Sequence, residues 1–319
     1  MNFLLISLTL ILSSCANIQK ERITLGTISK EQARAKLFEH PYFFYIPRTI
    51  KRNSKVQILI VPTNAGSISN EKLSEYENKI KKRTKWLARD FAEKLGVVLL
   101  KPAFPRWKSD WRYYTHALDR DTLKTQISSI VRLDLQLFNM VSDLKEKLEA
   151  MNMKANKKVL LFGYSASAMF ANRFTVLHPE KVLASAVGAP GGWPIAPLSK
   201  YKGTSLRYPI GVSDINDVSK IKFNLKEFQG VKQFIFMGDQ DTNDSVKYDD
   251  SYDPEDRDII FTVFGKKPLD RWPKIKKIYS KLSKNTKFKL YENTGHTITD
   301  EMLSDIIDFF TKSMNESSD

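Results

Sequence analysis

Lys158-Val-Leu-Leu-Phe-Gly163-Tyr164-Ser165-Ala166-Ser167 is the stretch on which the reading of this chain turns. A short apolar run ending in glycine reads as a buried strand, and the residues after it place Phe170, Phe174 and Leu177 on one helical face. The pattern is strand, sharp turn, helix. A serine at such a turn has its hydroxyl thrust out of the sheet at a helix N-terminus, where backbone N–H groups and the helix dipole stabilise negative charge. Small neighbours are needed because the turn is strained and the helix packs closely beneath it. Gly163 and Ala166 meet that need, while Ser167 stands where the pattern G-x-S-x-G has its second glycine. Alone, G-x-S-x-S also fits an ordinary strand-to-helix turn with a capping serine, so the partners of Ser165 decide the matter.

A serine hydroxyl needs a base to take its proton. The chain has four histidines. His40 falls in a polar lead-in segment, His178 ends the helix behind the turn, and His116 sits in a loop rich in aromatic residues. His296, in Glu292-Asn-Thr-Gly-His296, directly follows the final strand and precedes the last helix, which makes it the candidate base, with His116 in reserve. The base needs a carboxylate to hold its tautomer. Phe234-Ile-Phe-Met237 reads as a strand and Gly238-Asp-Gln-Asp241-Thr-Asn-Asp244 as the turn after it. Asp241 is the candidate acid and Asp239 and Asp244 are its competitors. Asp239, Asp241, Asn243 and Asp250 also have the spacing of a calcium loop, but Asp244 stands where such a loop needs glycine.

Outward from this core, short apolar runs alternate with helical periods, the sign of a mostly parallel sheet flanked by helices. Strands are expected at Val56–Pro62, Val97–Pro102, Lys158–Gly163, Val182–Val187, Gln233–Met237 and Lys287–Glu292, with an edge strand within Tyr42–Ile50. Leu73, Tyr76, Ile80, Leu87, Phe91 and Leu95 form one helical stripe; Ile130, Leu133, Leu137, Val141, Leu144 and Leu148 form another. A capping-box pattern at Thr297–Asp300 opens the last helix. Residues 191–230 and 243–284 read as insertions over the carboxyl edge of the sheet, within a domain covering 41–319.

Acyl transfer builds charge on the carbonyl oxygen and calls for two fixed donors. The backbone N–H of Ala166 is one. The other is expected from Thr63-Asn64-Ala65-Gly66, with Asn64 preferred and Thr63 and Ala65 as alternatives. From Val56 to Phe310 this constellation resembles the α/β-hydrolase superfamily. Pro102-Ala-Phe-Pro-Arg106 together with Trp111-Arg-Tyr-Tyr114-Thr-His116-Ala-Leu-Asp-Arg-Asp121 is similar to a segment of secreted bacterial hydrolases akin to poly(3-hydroxyalkanoate) depolymerases and feruloyl esterases. The resemblance implies cleavage of carboxylic esters, small or polymeric, through an acyl-enzyme, with no cofactor. An acyltransferase, a peptidase or a non-catalytic binding protein on the same scaffold are the competing readings. Tyr114, His116 and Trp193 are the candidate substrate contacts.

The N-terminus carries a separate signal. Phe3 to Leu12 is unbroken by charge, too short to span a bilayer and of the length of a secretion h-region. Leu12-Ser-Ser-Cys15 then resembles the lipobox of bacterial lipoproteins, although Met1-Asn2 lacks the usual cation. Residues 1–14 are thus expected to be a signal peptide, Cys15 a lipidated membrane anchor, and 15–40 a tether, placing the protein on the outer side of a membrane. Cys15 is the sole cysteine, so no intrachain disulfide forms, and with four dispersed histidines no transition-metal site is visible. A balance of 51 Lys+Arg against 36 Asp+Glu, +15 overall, favours anionic partners such as acidic lipid. The cations are mostly Lys, spread along the chain and without a base-reading motif, which argues against nucleic acid.

Overall fold

The computed structural model describes residues 23–69 and 72–317. The apolar run at 3–12 and Cys15 lie outside the described residues. Short runs rich in Val, Leu, Ile and Phe build an eight-stranded sheet whose central strands are buried on both faces. In chain order the strands are β1 (Ile28–Glu31), β2 (Tyr42–Tyr45), β3 (Ile58–Ile60), β4 (Val98–Pro102), β5 (Val159–Tyr164), β6 (Val182–Gly188), β7 (Lys232–Gly238) and β8 (Thr286–Tyr291). Across the sheet they run β1-β2-β4-β3-β5-β6-β7-β8. β2 is antiparallel to both neighbours, and β3 to β8 are parallel.

Parallel neighbours need crossovers, and helices supply them. The main ones are α1 (Leu73–Leu87), α2 (Leu133–Ala150), α3 (Ala166–Leu177), α4 (Pro268–Leu282) and α5 (Asp300–Asn315). Side chains alternate along each strand, so neighbours in sequence enter different cores. Ile58, Ile60, Val98, Leu100, Val159 and Leu161 share one core with Leu137 and Leu144 of α2, Phe174 of α3 and Ile275 of α4. Leu59, Leu99, Leu160 and Phe236 face α1 and α5, against Leu87, Phe91, Ile306 and Phe310. The second helical stripe is buried throughout; in the first, Leu73 is exposed.

Three expectations are corrected in detail. Part of the stretch read as a tether is a strand, because β1 pairs with β2 from Ile28 opposite Tyr45 to Glu31 opposite Tyr42. Its four residues are all half-buried, so no alternation announced it. The second half of the 243–284 stretch is α4, the regular crossover between β7 and β8; Pro273 inside that helix masked it, while Pro268 opens it at a position where proline is tolerated. The last helix is capped by Thr299, whose hydroxyl accepts from the Met302 N–H at 3.2 Å, two residues later than the capping box suggests.

Candidate active site

At the end of β5 the chain turns into α3 with almost no room. A Cβ on Gly163 would lie 2.1 Å from the Ser167 carbonyl oxygen, a backbone atom that cannot yield, so glycine is required there. Ser165 takes φ 60° and ψ −126°, a conformation costing an L-residue about 1–3 kcal/mol. The surroundings enforce it. The Ser165 N–H donates to Gly188 O at 2.9 Å, and its carbonyl accepts from the Ala168 N–H at 2.9 Å. Ser167, the departure from the second glycine, ties the turn from within: its Oγ accepts from the Tyr164 N–H at 3.0 Å, and its hydroxyl is 2.9 Å from Tyr164 O. Ala166 occupies the first position of α3, where a helix leaves its N–H groups without an intrahelical partner.

The acid and the base candidates meet in the loops after β7 and β8. His296 Nδ1 lies 2.8 Å from Asp241 Oδ2. Asp241 is buried and its other oxygen accepts from the Asn243 N–H at 2.9 Å, so the carboxylate is fixed at both ends. The two loops are threaded together: a Cβ on Gly238 would strike the Thr294 carbonyl oxygen, and the Gln240 N–H donates to that same oxygen at 2.9 Å. The rival acids have other employment. Asp239 accepts from the Thr294 N–H at 3.2 Å, and Asp244 forms a fully buried pair with Arg271 at 2.8 and 2.9 Å. Asp250, the far member of the calcium-like spacing, pairs with Arg106. Among the described residues no group of three or more His, Cys, Asp or Glu is placed to hold a metal ion.

Tyr164 joins the two halves. Its ring lies 5.2 Å from the His296 ring, centroid to centroid, and its hydroxyl donates to Thr297 O at 2.8 Å. The residue immediately before Ser165 therefore packs on the imidazole. Burial, and then the charge of Asp241, push the Tyr164 phenol above its ordinary range, so it stays a neutral donor. From the other side, the Asn64 side chain donates to Tyr164 O at 3.2 Å, bringing the loop after β3 against the turn. That contact uses the Asn64 amide and leaves its backbone N–H as the group in question for charge stabilisation.

The loop after β3 rests on two lysines that sequence reading passed over. Lys101, in β4 and 3% exposed, directs its ammonium at Val61 O and Pro62 O at 3.3 and 3.1 Å. Burial, with Arg83 adding to it, pushes Lys101 down to about 7. Lys79 of α1 donates to Ala65 O at 2.7 Å. The signal for Lys101 was present, since it is the lone charge inside an apolar strand, Val97-Val-Leu-Leu-Lys101-Pro.

Several candidates lie elsewhere. Trp193 is buried, its indole N–H donating to Ile210 O at 2.9 Å and its ring 4.1 Å from Phe264; it is core of the insertion and offers a substrate no surface. His116 is buried against Tyr76, its Nε2 3.0 Å from Phe104 O, and burial pushes it down to about 3, so it does not serve as the reserve base. Tyr114 is half-buried beneath the Arg106 guanidinium at 3.8 Å, where the loop after β4 meets the loop after β7. His178 forms its own buried pair with Asp134 at 2.8 Å, but at the far end of α3, about 18 Å along the helix from Ser165. A narrow cleft of about 20 Å³ borders Asp241 on the side of Pro190, Pro194, Arg271 and Trp272; neither Ser165 nor His296 lines it.

The strand order, the crossovers and the turn at Ser165 together are those of the α/β-hydrolase fold, and this chain has that fold. Among solved structures it is similar to poly(aspartic acid) hydrolase-1 from Sphingomonas sp. KT-1, with 17% identity, 89% of this chain and 97% of that chain covered, and a TM-score of 0.57. It is similar also to a poly(3-hydroxybutyrate) depolymerase from Bordetella parapertussis, with 15% identity, 91% of each chain covered and a TM-score of 0.54. No family model matches the chain, and no curated protein does.

Proposed function

We propose that this protein is a serine hydrolase that cleaves carboxylic esters through an acyl-enzyme, exported and held on the outer side of a membrane by a lipid on Cys15. The observation that carries the chemistry is the 2.8 Å contact of His296 Nδ1 with a buried carboxylate, on an imidazole packed against the residue preceding a strained serine. With Nδ1–H committed to Asp241, Nε2 is the nitrogen free to take the Ser165 proton. Ser165 Oγ attacks the ester carbonyl as that proton moves to Nε2. The oxyanion is received by the N–H groups of Ala166 and Asn64, each worth on the order of 3 kcal/mol. The tetrahedral adduct collapses, Nε2–H protonates the departing alkoxide, and the acyl group stays on Ser165. Water then repeats the sequence with His296 as base and releases the acid.

The fold likeness adds support of a general kind, since both structures named above are, by name, hydrolases of polymers. The test is a panel of nitrophenyl esters of increasing acyl length, run on the wild type and Ser165→Ala with circular dichroism to verify folding. Turnover by the wild type alone supports the proposal. Equal turnover by the two, or none by a folded wild type across the panel, overturns it.

A further inference from the structure

The edge of the sheet opposite the candidate site is its basic pole. Strands β3 to β8 enter there, and the segments leading into β3, β5 and β8 are rich in Lys and Arg. Residues 48–57 hold Arg48, Lys51, Arg52 and Lys55 and no acid. The turn they form is pinned to the segment before β5: the Asn53 N–H donates to Asn152 O at 2.6 Å and the Lys154 N–H to Ser54 O at 3.0 Å. A two-residue parallel ladder completes the junction and sets Lys55 directly beside Lys154. Like charges in register on neighbouring strands repel and cost stability. Here both are exposed, as are Lys51, Arg52 and Lys157 around them, and none of the five forms an ion pair among the described residues. Neighbouring lysines show that the sequence supplies partners when charge is to be neutralised: Lys158 pairs with Glu227 and Lys232 with Glu316. The cluster is therefore an uncompensated anion-attracting surface, maintained against self-repulsion.

Two further facts select the anion. Neither segment, 48–57 or 151–158, contains an aromatic residue to stack a base, so they offer point charges without base recognition. The N-terminal end of the described chain also arrives at this edge, where Gly26 donates to Ile46 O at 2.8 Å and lies against the Arg48 side chain. Cys15 is eight residues before Ile23, a span of at most about 28 Å when fully extended. A lipid at Cys15 would keep this edge within about 28 Å of the headgroups, and the cations there decide which surface meets them.

We infer that the Lys51–Lys55 and Lys154–Lys157 surface docks onto an anionic phospholipid bilayer, turning the carboxyl edge with Ser165 away from the membrane by about eight extended residues, roughly 25 Å. The substrate side then faces the medium, open to large or polymeric esters. Docking itself is independent of the catalytic reading.

The test measures partition of the full-length chain onto phosphatidylcholine vesicles with and without phosphatidylglycerol. The ratio of the two partition coefficients cancels any hydrophobic contribution of residues 3–12. Neutralising the surface, with Lys51, Arg52, Lys55, Lys154 and Lys157 all changed to Gln, is expected to lower that ratio roughly a hundredfold or more. A control with Lys81, Lys82, Lys85, Lys276 and Lys277 changed to Gln removes the same charge from other exposed sites and is expected to lower it under about tenfold. Turnover of a soluble ester is expected to be unchanged in both, which also reports folding. A wild-type ratio near one, or an equal loss in the control, overturns the inference. So does a short DNA duplex that binds the wild type more tightly than the vesicles and loses that binding in the five-residue variant.

Discussion

Asp241 and Asp239 stand two residues apart in one turn and differ in what faces them. Asp241 lies against an imidazole, whereas Asp239 accepts a backbone N–H, a duty an asparagine oxygen performs as well. Asp241→Asn is therefore expected to lower kcat by about 10³–10⁴-fold in steady-state ester hydrolysis, and Asp239→Asn by about tenfold at most. Lys101 acts at one remove. Its ammonium holds Val61 and Pro62, whose chain continues into the loop that carries Asn64. Lys101→Met keeps the length and apolar stem but removes the donors, and is expected to lower kcat about tenfold while KM changes less than about twofold. At this scale the sequence showed position better than environment. Asp241 and His296 could be located because each follows a recognisable strand. Trp193 and His116 could not be judged, because nothing in a loop's composition tells whether its aromatic residues face solvent or fold inward.

Elements were legible where apolar residues repeat and obscure where they do not. β4 to β7 lie within a residue or two of their expected bounds because a strand buried on both faces is a continuous apolar run. β1 was missed because an edge strand of four half-buried residues has no periodic signature, and α4 because Pro273 interrupts its pattern. The start of α5 separates two candidate caps. Thr299 supplies the hydroxyl that accepts the Met302 N–H, while the N–H of Thr297 donates to Gly295 O and its carbonyl accepts from Tyr164. Thr299→Ala is expected to cost about 1 kcal/mol in urea denaturation, and Thr297→Ala a few tenths at most.

Across the whole molecule, buried titratable groups shape the response to acid. Burial pushes His40 down to about 4 and His116 down to about 3 from 6.5, so each stays neutral in the fold and takes up a proton on unfolding once the pH falls below 6.5. Their stabilising contribution is full above pH 6.5 and is lost as the pH drops through that window. Asp119 works the other way. Burial raises it to about 7 from 3.8, so its contribution is present at low pH and lost as the pH rises through 7. Burial raises Asp256 as well, to about 6, so below pH 6 two proton uptakes are opposed by two releases and these four groups leave little net slope down to about pH 4. Urea unfolding at pH 6 and pH 4.5 checks the balance, and His116→Asn, which removes one uptake, is expected to leave about one net release and a stability that rises toward acid by ~1.4 kcal/mol per pH unit relative to the wild type.

All of this chemistry depends on Ser165 being activated by His296 in the folded protein. A fluorophosphonate probe, followed by peptide mass spectrometry, reads that directly. The wild type is expected to gain one adduct, located on Ser165, with labelling abolished in Ser165→Ala and slowed at least about a thousandfold in His296→Gln. A folded wild type that remains unlabelled, or that is labelled equally fast without His296, would contradict that activation.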